Sequence, residues 1–224
     1  MSLNVKASLG LLFLALAMAL CVFIAAGTVR YWQGWLFLAV FFASGVSQTL
    51  YGMKNDPALL ERRLAGGPTA ERSSTQRTIM VFVSLGFIAL LVVPALGWRL
   101  GWGALPLAAV VAGNALIVIG FYITFLAFRE NTFAAANVDI FAGQRVVSSG
   151  PYAVVRHPQY AGALFYLVGI PLALGSWWGL LVIAAMCPFL IWRLRDEERV
   201  LSEGLPGYAQ YRNRVRWRLI PGIY

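Results

Sequence analysis

Four long apolar stretches limit this chain to folds that cross a membrane. Ala7–Ala26 carries no charged residue, and as a helix it is long enough to cross a hydrocarbon core about 30 Å thick. Three similar stretches follow, at Trp32–Tyr51, Ile79–Leu96 and Ala104–Phe128. The residues are 60% hydrophobic and 12% charged, which is too apolar for an ordinary water-soluble domain. We therefore expect an all-α integral membrane protein with four transmembrane helices.

The first stretch has an alternative interpretation as a signal peptide that is removed. The apolar region of a signal peptide usually has about 7–15 residues, which is shorter than Ala7–Ala26. Arg30, Tyr31 and Trp32 follow it, and this composition is typical of an interfacial anchor rather than of a cleavage site. A retained membrane helix is the favoured interpretation.

Two polar connections and one interrupted apolar stretch complete the membrane part. Lys54–Thr78 is a basic loop in which Pro57–Leu64 is predicted to form a short interfacial helix, and Arg129–Val155 is a second polar connection. Tyr160–Trp192 is too long for one crossing and is interrupted by glycine and proline. We expect it to form a hairpin of two short helices that turns near Gly175-Ser176.

The distribution of cations predicts which side of the membrane each connection occupies. If the amino terminus is cytoplasmic, every lysine and arginine except Arg30 and Arg99 lies on the cytoplasmic side, as the positive-inside rule requires. The carboxyl terminus is then cytoplasmic too, as is an amphipathic helix predicted at Trp192–Leu201. We expect residues 1–128 to form the N-terminal transmembrane helices and residues 129–224 to carry the candidate site.

Charge and cysteine content exclude two classes of partner. The formal net charge is +9, but the cations lie between apolar stretches and do not form the dense patch of a nucleic-acid-binding protein. Cys21 and Cys187 each lie inside an apolar stretch, where they are expected to be small buried hydrophobic residues. We expect neither nucleic acid nor a metal ion as a partner.

The stretch Gly150–Gly162 contains the single histidine of the chain. Pro158 is suited to the first position of a helix and restricts His157 to an extended conformation. His157 and the amino terminus of that helix would then point to one place, where a carboxylate could bind. The alternative is that Arg156 and His157 only flank a membrane helix at the water interface.

Two further polar segments are predicted to lie on the same membrane face. Arg193 and Glu197 are four residues apart and share a helix face, and the hairpin would return them to the side that carries His157. In the C-terminal tail, the arginines could bind anionic lipid headgroups. Tyr208 and Tyr211 could instead pack the tail over the site, and the sequence leaves both possibilities open.

Together these segments resemble the isoprenylcysteine carboxyl methyltransferase family and its phospholipid N-methyltransferase relatives. The shared pattern is V-x-S-G-x-Y at Val147–Tyr152, H-P-x-Y-x-G at His157–Gly162, R-x-x-x-E-E at Arg193–Glu198, and then Tyr208, Tyr211 and Val215 in the tail. Gly204 departs from the pattern, since it precedes Tyr208 by four residues rather than three. The short N-terminal half resembles compact bacterial members, which implies a bacterial inner membrane.

The resemblance implies S-adenosylmethionine as the methyl donor. It implies that Arg193 and Glu197 are catalytic, that Arg193 also binds the acceptor, and that the cofactor contacts Gln144, Arg145, Val146, Val147, Tyr152, His157, Pro158, Gln159, Tyr160, Glu197 and Glu198. The acceptor would be a lipid-like or small hydrophobic molecule with a carboxylate, thiol or amine, and we expect it to enter sideways from the bilayer.

Two other functions remain open at this point. The first is a membrane reductase related to the steroid 5-alpha-reductases, which have a similar helical C-terminal region but use a nicotinamide cofactor. The second is a non-enzymatic membrane scaffold whose arginines bind anionic lipid.

Overall fold

The computed structural model describes all 224 residues and is all-α. Four helices are long and apolar enough to cross a membrane, as expected. In chain order the helices are α1 (Leu3–Ala26), α2 (Trp32–Asn55), α3 (Pro57–Leu64), α4 (Ser74–Leu100), α5 (Leu107–Glu130), α6 (Pro158–Ala173), α7 (Trp178–Gly204) and α8 (Tyr208–Arg214).

Local capping explains where the helices on the polar side begin. The Asp56 side chain accepts a hydrogen bond from the Leu59 N–H at 2.9 Å, and Pro57 occupies the first position of α3. This is the preferred chemistry of a helix start, because an aspartate satisfies a free N–H and a proline lacks one. Pro158 has the same place in α6. The predictions for α3 and for the start of α6 therefore agree with the structure.

The apolar stretch after residue 158 folds as a hairpin made of α6 and α7. The chain turns at Gly175, whose φ of 71° is left-handed and suits glycine. The Tyr31 hydroxyl donates to the Leu174 carbonyl and ties this turn to the α1–α2 connection. The second arm does not stop at the membrane boundary. It continues as one helix through the charged segment to Gly204.

α5 and α6 pack closely because glycines line their contact. A Cβ added at Gly162 would lie 2.6 Å from the Gly120 carbonyl oxygen, and one added at Gly169 would lie 2.6 Å from the Gly113 carbonyl oxygen. Small residues let membrane helices approach to backbone contact, where van der Waals packing is strongest. This contact fixes the position of α6, which carries His157 at its amino end.

The main core lies among the helices, and the outer faces are apolar. Tyr31, Phe37, Leu90 and Ile117 are fully buried members of one cluster. Phe13, by contrast, is 74% exposed on the outside of α1. An exposed apolar surface on helices of membrane-spanning length is expected to face lipid.

Candidate functional site

A polar cleft lies at the end of the hairpin where α6 begins and the charged part of α7 continues. Its other walls are the loop of residues 131–147 and helix α8. The empty volume is about 740 Å³, counting the solvent at the mouth. The long polar connection between α5 and α6 therefore serves as a wall of the cleft.

The structure brings ten of the twelve predicted site residues to this cleft. The lining includes Gln144, Arg145, Val146, Val147, Tyr152, His157, Gln159, Tyr160, Arg193 and Glu197. Pro158 and Glu198 are not part of the lining. Glu198 follows Glu197 directly, and successive helical residues point about 100° apart, so the two carboxylates reach different surroundings.

His157 lies between these two carboxylates and is 3% exposed. Its Nε2 is 3.3 Å from Glu198 Oε1, and its Nδ1 is 3.8 Å from Glu197 Oε1. Its backbone has φ −127° and ψ 64°, so it is outside the helix as expected, with a ψ smaller than that of a fully extended residue. The His157 carbonyl accepts from Tyr160 N and Ala161 N, which leaves fewer free N–H groups at this helix start than we expected.

Tyr160 joins the two residues that were predicted to be catalytic. Its hydroxyl donates to Glu197 Oε2 at 2.6 Å and accepts from Arg193 Nε at 3.0 Å. Hydrogen bonds to ionised groups are stronger than neutral ones and fix orientation. Arg193, Tyr160 and Glu197 therefore form one connected unit on the cleft wall.

Arg193 is held from its other side by residues that the sequence did not indicate. Its Nη1 is 2.8 Å from Glu71 Oε1 and 2.8 Å from Gln76 Oε1, and its Nη2 donates to the Ala136 carbonyl at 2.9 Å. The Glu71 side chain has no exposed surface, and its Oε2 accepts from Val138 N. Glu71 is a loop carboxylate with no local motif, so no sequence signal could have identified it.

Glu198 belongs to a separate buried ion network. Its Oε1 is 2.6 Å from Arg156 Nε, and its Oε2 is 2.9 Å from Arg218 Nε. Burial opposes ionisation, but hydrogen bonds from His157, Arg156 and Arg218 outweigh it and hold the pKa of Glu198 well below its usual range. The Glu198 carboxylate thus fixes the His157 ring from the side opposite the cleft.

The C-terminal tail closes the cleft through α8. Tyr208 and Tyr211 line the cleft, and the Tyr211 hydroxyl donates to the Tyr152 carbonyl at 2.8 Å. Burial raises the pKa of Tyr152 to about 12 and raises the pKa of Tyr208 and Tyr211 further. All three phenols are therefore neutral at physiological pH. The structure thus shows these two tail tyrosines packed over the site.

Three buried polar atoms among the lining residues have no hydrogen-bond partner. They are Asn137 Oδ1, Gln159 Oε1 and Tyr208 Oη. A buried polar atom without a partner costs free energy. Because all three belong to one cleft that also contains the Glu197 carboxylate, the cleft is suited to a polar ligand.

An apolar lateral groove meets the cleft at its membrane end. Its walls include Phe41, Phe87, Phe121 and Met186, and its empty volume is about 1520 Å³ with its open side. The cleft and the lateral groove share Ala135, Gln159, Tyr160 and Arg193. A molecule lying in the groove would therefore reach the Arg193–Tyr160–Glu197 unit.

The comparisons with known proteins give one curated relative and one family. The chain is 28% identical over 134 residues to a delta(14)-sterol reductase of Mus musculus, and the match covers 54% of this chain and 32% of the relative. The chain thus spans about a third of that protein's length. No solved structure matches.

A family model described as phospholipid methyltransferase matches residues 108–206. The matched segment contains α5, the second polar connection, α6 and α7, which build most of the cleft. The match confirms the resemblance seen in the sequence motifs. Residues 108–206 of this integral membrane protein are thus similar to the phospholipid methyltransferase family, over somewhat less than half of the chain.

Proposed function

We propose that this chain is an S-adenosylmethionine-dependent methyltransferase that acts on a lipid-like or small hydrophobic acceptor. The observation that carries the proposal is the junction at Tyr160, where a polar cleft with unpartnered buried atoms meets an apolar groove. A polar donor and an apolar acceptor need such a pair of adjoining sites. The family match over residues 108–206 supports the same chemistry.

The residues of the cleft fit S-adenosylmethionine. The Glu197 carboxylate, 16% exposed, would bind the ammonium group of the methionyl part. Arg145 is a cation on the lining, and Asn137 and Gln159 supply amides with unpartnered oxygens. Tyr152 and Val147 provide an aromatic and apolar wall for the adenine. Gln144, Val146, His157 and Tyr160, which were also predicted to contact the cofactor, line the same cleft.

Bound S-adenosylmethionine would supply an electrophilic methyl group on its sulfonium. The protein then has mainly to hold the donor and the acceptor in line and to exclude water. We propose that Arg193 and Glu197 act through the Tyr160 hydroxyl, which orients the acceptor at the junction. Four of the five N–H donors of Arg193 are already used, so one remains for the acceptor.

We propose that the acceptor enters through the lateral groove from the bilayer. The groove is mostly apolar and opens between helices that are long enough to cross a membrane. The cleft and both chain termini would lie on the cytoplasmic side, as the positive-inside rule requires, and a bacterial inner membrane is the proposed location.

The test is a titration of the purified full chain with S-adenosylhomocysteine and, separately, with NADPH. Wild type is compared with Glu197→Gln and His157→Ala. Glu203→Gln is the matched control, because Glu203 lies on the same helix, is 67% exposed and is not part of the cleft. We expect the wild type and the control to bind S-adenosylhomocysteine and both cleft variants to bind it at least about tenfold more weakly, since each loses a charged or polar contact.

A reductase is the second candidate, because the mouse relative is a sterol reductase. The same titration separates the two functions. NADPH binding that depends on His157 and Glu197, without binding of S-adenosylhomocysteine, would replace the methyltransferase proposal with the reductase. Binding of neither ligand would contradict both and would favour the lipid-binding scaffold.

A further inference from the structure

A second apolar groove lies on the other side of the hairpin, between α6, α7 and the C-terminal tail. We call it the hairpin groove; its empty volume is about 730 Å³ with its open side, and all its lining residues are hydrophobic. The walls include Leu164 on α6, Cys187 and Ile191 on α7, and Leu219 and Ile220 in the tail. Only Tyr160 is shared with the polar cleft. The hairpin groove also shares Tyr160, Ala163, Leu167 and Leu190 with the lateral groove, whereas the five walls named above belong to the hairpin groove alone.

On both walls of the hairpin groove, apolar residues give way to arginines at the same end of the groove. On α7, Ile191 is followed one helical turn later by Arg195; in the tail, Leu219 is preceded by Arg218. Arg195, Arg212 and Arg218 line a polar depression together with Arg199 and the carboxylates of Glu198 and Glu203, so cations outnumber carboxylates there by four to two. Arg218 is paired with Glu198, whereas Arg195 and Arg212 are exposed and form no ion pair.

Aromatic residues mark the membrane surface at this change. Trp192 on α7 is 45% exposed and Trp217 in the tail is 39% exposed. Tryptophan concentrates at the boundary between hydrocarbon and water. The apolar walls of the hairpin groove thus lie on the hydrocarbon side of these tryptophans, and the free arginines lie on the water side. An anionic lipid has the matching arrangement, with an apolar chain in the hydrocarbon and a negative headgroup at the water side.

We infer that the hairpin groove binds one acyl chain of an anionic bilayer phospholipid whose headgroup contacts Arg195 and Arg212. This lipid is a bound partner and not the methyl acceptor, because the hairpin groove contains none of Ala135, Gln159 and Arg193, which join the lateral groove to the polar cleft. The apolar lining removes acyl-chain surface from water, and the two free arginines complement the phosphate charge.

The bound lipid would also support the polar cleft through the tail. Trp217 and Arg218 accept backbone hydrogen bonds from Arg156 N and His157 N at 2.9 and 3.0 Å. A lipid wedged between the tail and the hairpin would hold this pairing in place. The lipid and the His157 side of the cleft are therefore coupled through the same tail segment.

The experiment uses the full chain in nanodiscs and a photoreactive diazirine group in one acyl chain of phosphatidylglycerol. The same chain on phosphatidylcholine is the neutral-headgroup comparison, and adducts are mapped by peptide mass spectrometry. We expect the anionic probe to label Leu164, Cys187 and the tail segment with Leu219 and Ile220 more strongly, since none of these residues lines the lateral groove. Each of Arg195→Gln and Arg212→Gln should reduce this labelling about fivefold.

The control is Arg30→Gln together with Arg99→Gln, which removes cations at connections distant from the hairpin groove and should leave the labelling unchanged. Leu164→Trp fills the groove and should remove the labelling, with a thermal unfolding measurement to confirm that the variant is folded. Four results would overturn the inference. They are equal labelling by both probes, labelling that is unchanged in both arginine variants, labelling confined to the lateral groove around Phe87, and no labelling.

Discussion

Removal of the Glu71 carboxylate should destabilise the protein strongly, although Glu71 lies outside the matched family segment. The Glu71 side chain is fully buried, its Oε1 is 2.8 Å from Arg193 Nη1, and its Oε2 accepts from Val138 N at 3.1 Å. Glu71→Ala leaves the Arg193 guanidinium, whose side chain is 7% exposed, without its ionic partner. Breaking a buried pair in this way typically costs about 3–5 kcal/mol.

This loss should be large enough to measure by thermal unfolding in detergent. For a chain of this size, 1 kcal/mol corresponds to about 2–4 °C, so Glu71→Ala should lower the Tm by about 6–20 °C. Glu61→Ala is the matched control, because Glu61 is an exposed glutamate on α3. It should change the Tm by no more than about 2 °C.

A double-mutant cycle with Arg193→Met tests whether the stability lost in Glu71→Ala comes from the Glu71–Arg193 ion pair. If the buried charge of Arg193 causes the loss, then Arg193→Met should remove most of the additional cost of Glu71→Ala, with a coupling of at least about 1 kcal/mol. Additive effects, or a Glu71→Ala variant as stable as Glu61→Ala, would refute this account of the support behind Arg193.

Three further outcomes follow from the packing and charges. Gly162→Ala should destabilise the α5–α6 contact by about 1–3 kcal/mol, whereas Gly10→Ala, where an added Cβ meets nothing within 4 Å, should be neutral in the same thermal assay. The folded-state pKa of Glu198 is depressed below its ordinary value of 4.5. Wild type should therefore be more stable than Glu198→Gln by its full margin above pH 4.5, and this margin should shrink as the pH falls further. A margin that grows at low pH would contradict the ion network. Tyr211→Phe should cost about 1 kcal/mol, since it leaves the Tyr152 carbonyl without its donor, and an unchanged Tm would show that water replaces the hydroxyl.

Much of the membrane fold follows from properties that act over short distances along the chain. Length and hydropathy predict the four spans, and the Asp56-Pro57 pair caps α3 at the residues predicted. Pro158 begins α6 for an equally local reason, because its ring fits only the first turn. The glycines at the α5–α6 contact, such as Gly162, were visible in the sequence, but nothing local identified the backbone they touch.

The candidate site was predictable as a set of residues and not as a set of contacts. The spacing of His157, Arg193 and Glu197 along two helices placed them on one side of a hairpin, and the structure brings them to one cleft. The partners that hold them were not predictable. Glu71 and Arg193 are 122 positions apart, and such a pair depends on how the loop before α4 packs against the interior of α7.

The sequence by itself therefore determined the class of fold, the helix ends set by caps and prolines, and the family motifs with their spacing, since all of these depend on neighbouring residues or on total hydrophobicity. Only the tertiary structure decided which carboxylate faces the cleft. Glu197 and Glu198 are chemically alike, but the rotation of α7 against α6 and the tail directs Glu197 to Tyr160 and Glu198 to Arg156 and Arg218. That rotation is set by packing over the whole bundle, which no short stretch of sequence specifies.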